Sequence, residues 1–358
     1  MTEPRVTVLT TVYNGARYLA ETIESIAADG FTDFEHVIVD DGSTDATPEI
    51  LENAAARDSR IIVLRHEPNR GIAAATNRGL AIARGEYIAR LDADDVSLPG
   101  RLAREAAFLD EHADVAMVSM NYESMDANGV VIGRSRRDHP PSVVEYLLNF
   151  SNSVGGHSQV MFRRSAVETV GRYDESCRAS LDYDLWTRII RQGRIVVLPE
   201  IGMRYRVHDQ SVSARARATQ IEVGKRVVQR TLSAYLGRTL TERELLAITH
   251  AWRPVLPAID AELANDLLHE AYRIFCEREP DRHARSVVRK FKARRLMNTA
   301  MLLLAKGDVA NGVRHAMHAL RWNAMTATAR MVKIVSERVW RGIRPSPLPS
   351  PRVAGRGD

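Results

Sequence analysis

Three short polar motifs could carry chemistry, and each closes a strand-like run: Thr11-Val12-Tyr13-Asn14, Asp40-Asp41-Gly42-Ser43 and Asp92-Ala93-Asp94-Asp95. Each has a plainer reading when taken alone. Asp-Gly-Ser is a common turn, and an Asp after a strand often caps a helix. Three in succession ask for a shared purpose. An Asp-x-Asp at a strand end points both carboxylates to the same side. Such a pair repels a dense anion, a diphosphate for instance, unless a cation stands between them. Mg²⁺ often takes only one or two carboxylates plus substrate phosphates. Mn²⁺ accepts the same oxygens and tolerates an imidazole. These residues therefore suit metal-assisted departure of a phosphate.

The elements that would position them alternate. β-Branched runs predict strands at 6–11, 36–39, 61–64, 86–91 and 115–119. Apolar residues at helical spacing predict helices over 16–27, 48–56 and 72–83, and Pro99 opens another near its first turn. Alternation of this kind implies an α/β fold with a mostly parallel sheet flanked by helices. Ligands in such sheets bind beyond the carboxyl ends of the strands, where all three motifs fall. Residues 120–215 are less regular. A helix is expected over 140–149, a small-residue loop over 151–156, and a strand over 159–163. A further helix is expected over 181–191, followed by two short strands at 195–198 and 203–207. Beyond residue 214 the strand signals stop. Helical patterns cover 219–236, 241–252, 258–276, 282–304 and 309–320. The expected organisation is a catalytic domain over 1–213, an all-α region over 214–344, and a tail over 345–358 whose Pro, Ser, Gly and Arg predict disorder.

Composition sets limits. The 358 residues are 45% hydrophobic, enough for a sizeable core. The net charge of +5 hides a split. Residues 1–215 hold 24 Arg and 32 acids, whereas residues 216–358 hold 26 basic residues, every lysine among them, and 13 acids. The basic part could meet anionic lipid or an acidic partner, or be a solvated helical surface. No recognisable nucleic-acid motif is present, so nucleic acid is not an expected partner. Cys177 and Cys276 form neither a disulfide framework nor a zinc motif. No Gly-x-Gly-x-x-Gly follows the first strand and no Gly-x-x-x-x-Gly-Lys occurs, which disfavours dehydrogenases and P-loop enzymes. The first ten residues do not read as a signal peptide, and no apolar run is long enough to span a membrane. The expected location is cytoplasmic, with peripheral contact at the inner face of a membrane open to the basic end.

The motifs together resemble the family 2 glycosyltransferases of the GT-A fold. The resemblance rests on Val-Thr-Val-Leu-Thr-Thr-Val-Tyr-Asn at 6–14, Val-Asp-Asp-Gly-Ser-Thr-Asp at 39–45, Asn69-Arg70-Gly71, and Leu-Asp-Ala-Asp-Asp at 91–95. It continues through His157-Ser158-Gln159, Asp182-Tyr183-Asp184-Leu185-Trp186 and Tyr205-Arg206-Val207-His208. It implies an inverting enzyme that moves a sugar from a UDP- or dTDP-sugar to an acceptor hydroxyl, with Mn²⁺ or Mg²⁺ as cofactor. Thr11 and Tyr13 then frame the nucleotide base. Asp41 accepts from a pyrimidine N–H, Arg70 contacts base or phosphate, and Asp92 lies near ribose and sugar. Asp94 is the expected metal ligand, and Asp95 a support or helix cap. Asp182 matches the catalytic base, with an N-cap as its plainer reading. The family often has Glu-Asp where this chain has Leu181-Asp182. His208 resembles a histidine that approaches metal or diphosphate, with a structural role equally open. His157 and Trp186 are acceptor candidates, although Trp186 also fits an apolar helix face.

The resemblance further implies a carbohydrate or lipid-linked acceptor, in cell-envelope or exported polysaccharide or glycolipid synthesis. Among the basic helices, residues 331–343 set Val332, Ile334, Val335, Val339 and Trp340 among Arg and Lys, as a helix on anionic lipid would. A second function stays open: a GT-A-like scaffold that binds a nucleotide sugar without turnover. Intact Asp41, Asp92, Asp94 and Asp182 count against it. Oligomeric state is not legible.

Overall fold

In the computed structural model, residues 3–209, 217–252 and 260–343 are described. The chain divides into two compact units, residues 1–241 and 242–358. Strands β1 (Val6–Val12), β2 (Phe34–Asp40) and β4 (Tyr87–Arg90) are buried nearly throughout, and β3 (Ile61–Arg65) closes one edge. The four pair in parallel in the order β3-β2-β1-β4. Their carboxyl ends therefore emerge at one edge, and each polar motif follows one of them.

Helices α1 (Leu19–Ala27), α2 (Thr47–Arg57) and α3 (Ile72–Ile82) connect these strands. Leu19, Ile23 and Ile26 form the buried stripe of α1. Helix α3 uses small residues instead. A Cβ on Gly79 would lie 2.3 Å from Leu9 Cδ1, so a larger residue there would have to displace the buried Leu9 side chain of β1.

Beyond β4 the sheet turns mixed. The two-residue β5 (Val96–Ser97) and helix α4 (Arg101–Glu111) lead to β6 (Val115–Met125), which turns back as β7 (Val131–Arg134). Helix α5 (Pro141–Leu148) precedes β8 (Val160–Arg163), which lies antiparallel between β4 and β6. Two short strands were expected near 195–207, but one strand forms, β9 (Arg194–Arg206). Its register against β6 slips around Asn121. There Asn121 Nδ2 donates to the carbonyls of Leu198 and Pro199, each at 3.2 Å, and keeps the strand joined across its proline.

Helices α6 (Arg164–Thr169) and α7 (Leu181–Ile189) follow β8. Helix α8 (Arg217–Leu236), although part of the basic helical stretch of the sequence, belongs to the first unit. Arg230 on it donates to Asp184 Oδ1 and to Thr187 Oγ1 of α7, both at 2.7 Å.

The elements of the second unit among the described residues are all helices: α9 (Glu242–Trp252), α10 (Ala261–Arg278), α11 (Arg282–Ala305) and α12 (Val309–Ile343). Asp260 caps α10 by accepting from the Leu263 amide at 3.0 Å. Asp281 caps α11 by accepting from the His283 and Ala284 amides. Gly307, at φ +86°, turns the chain between α11 and α12. Asn323 is extended and interrupts α12. The expected tail, residues 345–358, lies outside the described residues, as do the side chains of Val339 and Trp340.

Candidate active site at the strand ends

The first two motifs are bonded to each other. Asn14, in a left-handed conformation, donates its amide to Ser43 Oγ at 2.8 Å, and its side-chain oxygen accepts from the Thr44 amide at 2.8 Å. Thr11 is half-buried and the Tyr13 ring is 53% exposed, open to a flat ligand. Asp41 is buried and already engaged. Its Oδ1 lies 2.8 Å from His66 Nδ1 and accepts from the Arg70 amide at 2.9 Å, while Oδ2 accepts from the Gly71 amide at 2.7 Å. A carboxylate has about four lone-pair sites. Asp41 thus first holds the loop that presents the exposed Arg70, with one lone-pair site left over.

The third motif is crowded with acid. Asp92 is anchored through its amide, which donates to Ser158 Oγ at 2.8 Å, and its carboxylate accepts from Arg90 at 3.2 Å. Asp94 Oδ2 lies 2.8 Å from His208 Nε2. The two are 114 residues apart in sequence. Burial raises the Asp94 pKa, Asp92 adds to the rise, and His208 opposes it. Asp95 is fully buried; burial and then its acidic neighbours push its carboxyl well up. It accepts from the Arg206 amide at 2.9 Å through Oδ1, while Oδ2 has no partner among the described residues. Arg206 also donates to the Asp94 carbonyl at 2.9 Å and to Glu21 at 2.6 Å, so it ties β9 to the acid motif.

No group of three His, Cys, Asp or Glu side chains gathers for a metal among the described residues. Asp94 and His208 nevertheless fit one. They bring a carboxylate oxygen and an imidazole nitrogen to one point, where burial and then neighbouring acids raise the pKa values of Asp94 and Asp95. That donor set suits Mn²⁺ or Mg²⁺ completed by phosphate and water.

Asp182 stands at the start of α7, partly buried. Its Oδ2 accepts from Asn152 Nδ2 and its Oδ1 from the Tyr183 amide, both at 2.8 Å. Burial raises its pKa, with Asp92 adding to the rise; His157 and the Tyr183 amide oppose it. His157 joins the two sides. Its Nδ1 lies 3.9 Å from Asp92, and it interacts electrostatically with both Asp92 and Asp182. Burial lowers its pKa, so the ring is held toward neutrality.

Trp186 requires a correction. It is fully buried, donates from Nε1 to the Gly155 carbonyl at 3.0 Å and packs near His157 and Phe162. A ring with no exposed face cannot stack on an acceptor sugar; Trp186 instead supports the loop that carries Asn152.

Sequence reasoning missed Arg90 and Asn152. Arg90 is fully buried and bonded to Asp92 and the Leu9 carbonyl. Its signal was a charge breaking the apolar run of β4. Asn152 lies in a small-residue loop that gave no signal.

The chain is similar to known proteins. The model of glycosyl transferase family 2 matches residues 7–171. The putative glycosyltransferase EpsE of Bacillus subtilis is 37% identical over 193 residues, 53% of this chain and 68% of its own. The putative teichuronic acid biosynthesis glycosyltransferase TuaG of the same organism is 30% identical over 214 residues, 59% of this chain and 82% of its own. Among solved structures, S. aureus TarS 1–349 in complex with UDP-GlcNAc superposes with a TM-score of 0.56 at 19% identity, covering 88% of this chain and 91% of that one. The mixed sheet is thus of the GT-A kind, and with two relatives at or above 30% identity the chain belongs to glycosyltransferase family 2.

Proposed function

We propose that the enzyme transfers a sugar from a nucleotide-diphosphate donor, UDP-linked or dTDP-linked, to an acceptor hydroxyl with inversion. The observation that carries this is His157, whose Nδ1 lies 3.9 Å from Asp92 and whose ring interacts electrostatically with Asp182. A donor-side acid and a candidate base thereby face one site. Thr11 and Tyr13 frame the base of the donor, Asp41 accepts a ring N–H while holding Arg70, and Asp92 orients ribose or sugar. Asp94 and His208 would hold Mn²⁺ or Mg²⁺, which when bound supplies a Lewis acid for the departing diphosphate. The acceptor oxygen attacks the anomeric carbon as the carbon–phosphate-oxygen bond breaks on the opposite face. Asp182 takes the hydroxyl proton, worth about 10²–10⁴-fold in rate. His157 lies beside the acceptor.

The UDP-GlcNAc bound by TarS supports a UDP-sugar donor. The naming of TuaG for teichuronic acid supports a carbohydrate or lipid-linked acceptor in envelope or exported polysaccharide synthesis. The basic C-terminal helices suit peripheral contact with an anionic membrane from the cytoplasmic side. The test is a screen of nucleotide sugars for hydrolysis and transfer, with Mn²⁺ or Mg²⁺ and then with EDTA. Turnover is expected to need the metal and to be lost in Asp94→Ala. Turnover that survives both would refute the metal-assisted reading. Transfer that retains anomeric configuration would refute inversion.

A further inference from the structure

Helix α12 is apolar on the side that faces away from its own unit. Val309, Val313, Met317 and Leu320 are between 42% and 60% exposed. Their spacing of four, four and three puts them within an arc of about 80° on a helix. His315, Ala319 and Trp322 on the other side are buried. After the interruption at Asn323 the pattern resumes, with Met325, Val332 and Val335 exposed, Met325 by 76%. Valine and methionine are seldom left in water in such a row, and a contiguous apolar stripe marks an interaction surface.

Charge decides what covers it. Residues 309–335 contain three Arg, one Lys and no Asp or Glu. By helical spacing Arg314 and Arg321 flank the apolar arc, within about 60° of its edge. Two copies of this face brought together would set cation against cation, with no acid on the stretch to relieve them. An anionic bilayer answers both features, taking the apolar arc into its acyl boundary and the guanidinium groups at its headgroups. No helix among the described residues is long and apolar enough to cross a membrane.

We infer that the outer face of α12 over residues 309–335 is a docking surface for an anionic lipid bilayer, with Val313, Met317 and Leu320 as its apolar centre and Arg314 and Arg321 as its headgroup contacts. The inference deepens the membrane contact proposed above, and it moves that contact from residues 331–343 to a face that begins a few turns earlier. It does not depend on the identity of the acceptor.

The full chain is sedimented with vesicles of phosphatidylcholine alone and with about one-third phosphatidylglycerol. Binding is expected only with the anionic vesicles. The double variant Met317→Glu/Leu320→Glu should lower the partition at least about tenfold. Arg314→Gln/Arg321→Gln should lower it about thirtyfold. All four positions are exposed, and circular dichroism verifies that helicity is kept. Failure to pellet, equal pelleting with neutral vesicles, or variants that bind like the parent overturn the inference. So does concentration-dependent self-association abolished by Met317→Glu/Leu320→Glu without vesicle binding, which would assign the face to a second copy. Asp94→Ala should pellet like the parent chain, and hydrolysis of nucleotide sugar is measured without vesicles. The lipid reading and the transferase reading can therefore fail separately.

Discussion

Asn152 and the Tyr183 amide each give a hydrogen bond to Asp182, one to each carboxylate oxygen. Both bonds favour the charged carboxylate, whereas burial disfavours it and raises its pKa above the ordinary 3.8. A base so placed loses function when protonated. The rate at low substrate should therefore fall with unit slope as pH drops through that raised pKa. Asp182→Asn should lower kcat by about 10²–10⁴-fold and leave the KM for the donor nearly unchanged, because an amide cannot take the proton. Asn152→Ala removes a donor to the charged form, so the acid limb of the profile should move to higher pH. A merely structural Asn152 would lower the rate equally at all pH values, and a profile of that shape would refute its part in tuning Asp182. His157 is a separate case, since burial already holds it toward neutrality. His157→Gln keeps a polar group beside Asp92 and should raise the KM for acceptor more than for donor; the reverse pattern would count against acceptor contact.

At the scale of elements, the sequence made the parallel half of the sheet legible because its strands are short, β-branched and separated by helices of ordinary period. Val6–Val12 and Phe34–Asp40 are buried almost throughout, and such runs are hard to read otherwise. The Asp-x-Asp was legible for the same reason: a strand must end where its apolar run gives way to acids. What stayed hidden depends on distant contacts. Nothing local says that β8 enters antiparallel between β4 and β6, that Asn121 holds β9 together past Pro199, or that α8 packs with the sheet unit. That last contact is testable. Arg230 bridges Asp184 and Thr187, and Arg188 shares Asp184 at 2.8 Å. Arg230 is 41% exposed, so solvent screens the pair. Arg230→Ala should cost about 1 kcal/mol in urea unfolding. Arg230→Lys should restore less than half of it, because one ammonium cannot span both partners as the guanidinium fork does. Full recovery by lysine would mean that charge alone matters. Since α7 carries Asp182 in its first turn, the same variant should lower kcat with little change in donor binding.

Across the whole molecule, the two units should respond differently to acid. In the first unit, burial pushes Glu105 up to about 7 and His36 down to about 3. Glu105 unfolds to a group near 4.5, so its contribution is full below that value and is lost as pH rises through about 7. His36 unfolds to a group near 6.5, so its contribution is present above that value and lost as pH falls through about 3. Between the two the effects oppose, so together Glu105 and His36 should change the sheet unit little. The second unit has no such offset. His315 is fully buried, and neither ring nitrogen has a hydrogen-bond partner among the described residues. Burial pushes it down to about 4; His318 adds to the fall, and Glu262 and Asp308 oppose it. Its contribution is present above 6.5 and lost as pH falls through about 4, about 3 kcal/mol in all. Lys292 acts in the same direction. It lies 4.4 Å from the Trp322 ring centre and 4.9 Å from that of Tyr272, yet burial still drives its pKa well below 10.5. The magnitudes agree, since a cation–π contact gives about 2 kcal/mol and burying an ammonium costs several. Both groups make the helical unit weaker as the solution is acidified. Hydrogen exchange read peptide by peptide should therefore show α10–α12 losing protection between about pH 7 and about pH 5, after correction for intrinsic rates, while β1 and β2 hold theirs. His315→Leu should remove most of the loss. Equal loss in both units, or an unchanged loss in His315→Leu, would show that these buried bases do not set the acid sensitivity of the helical unit.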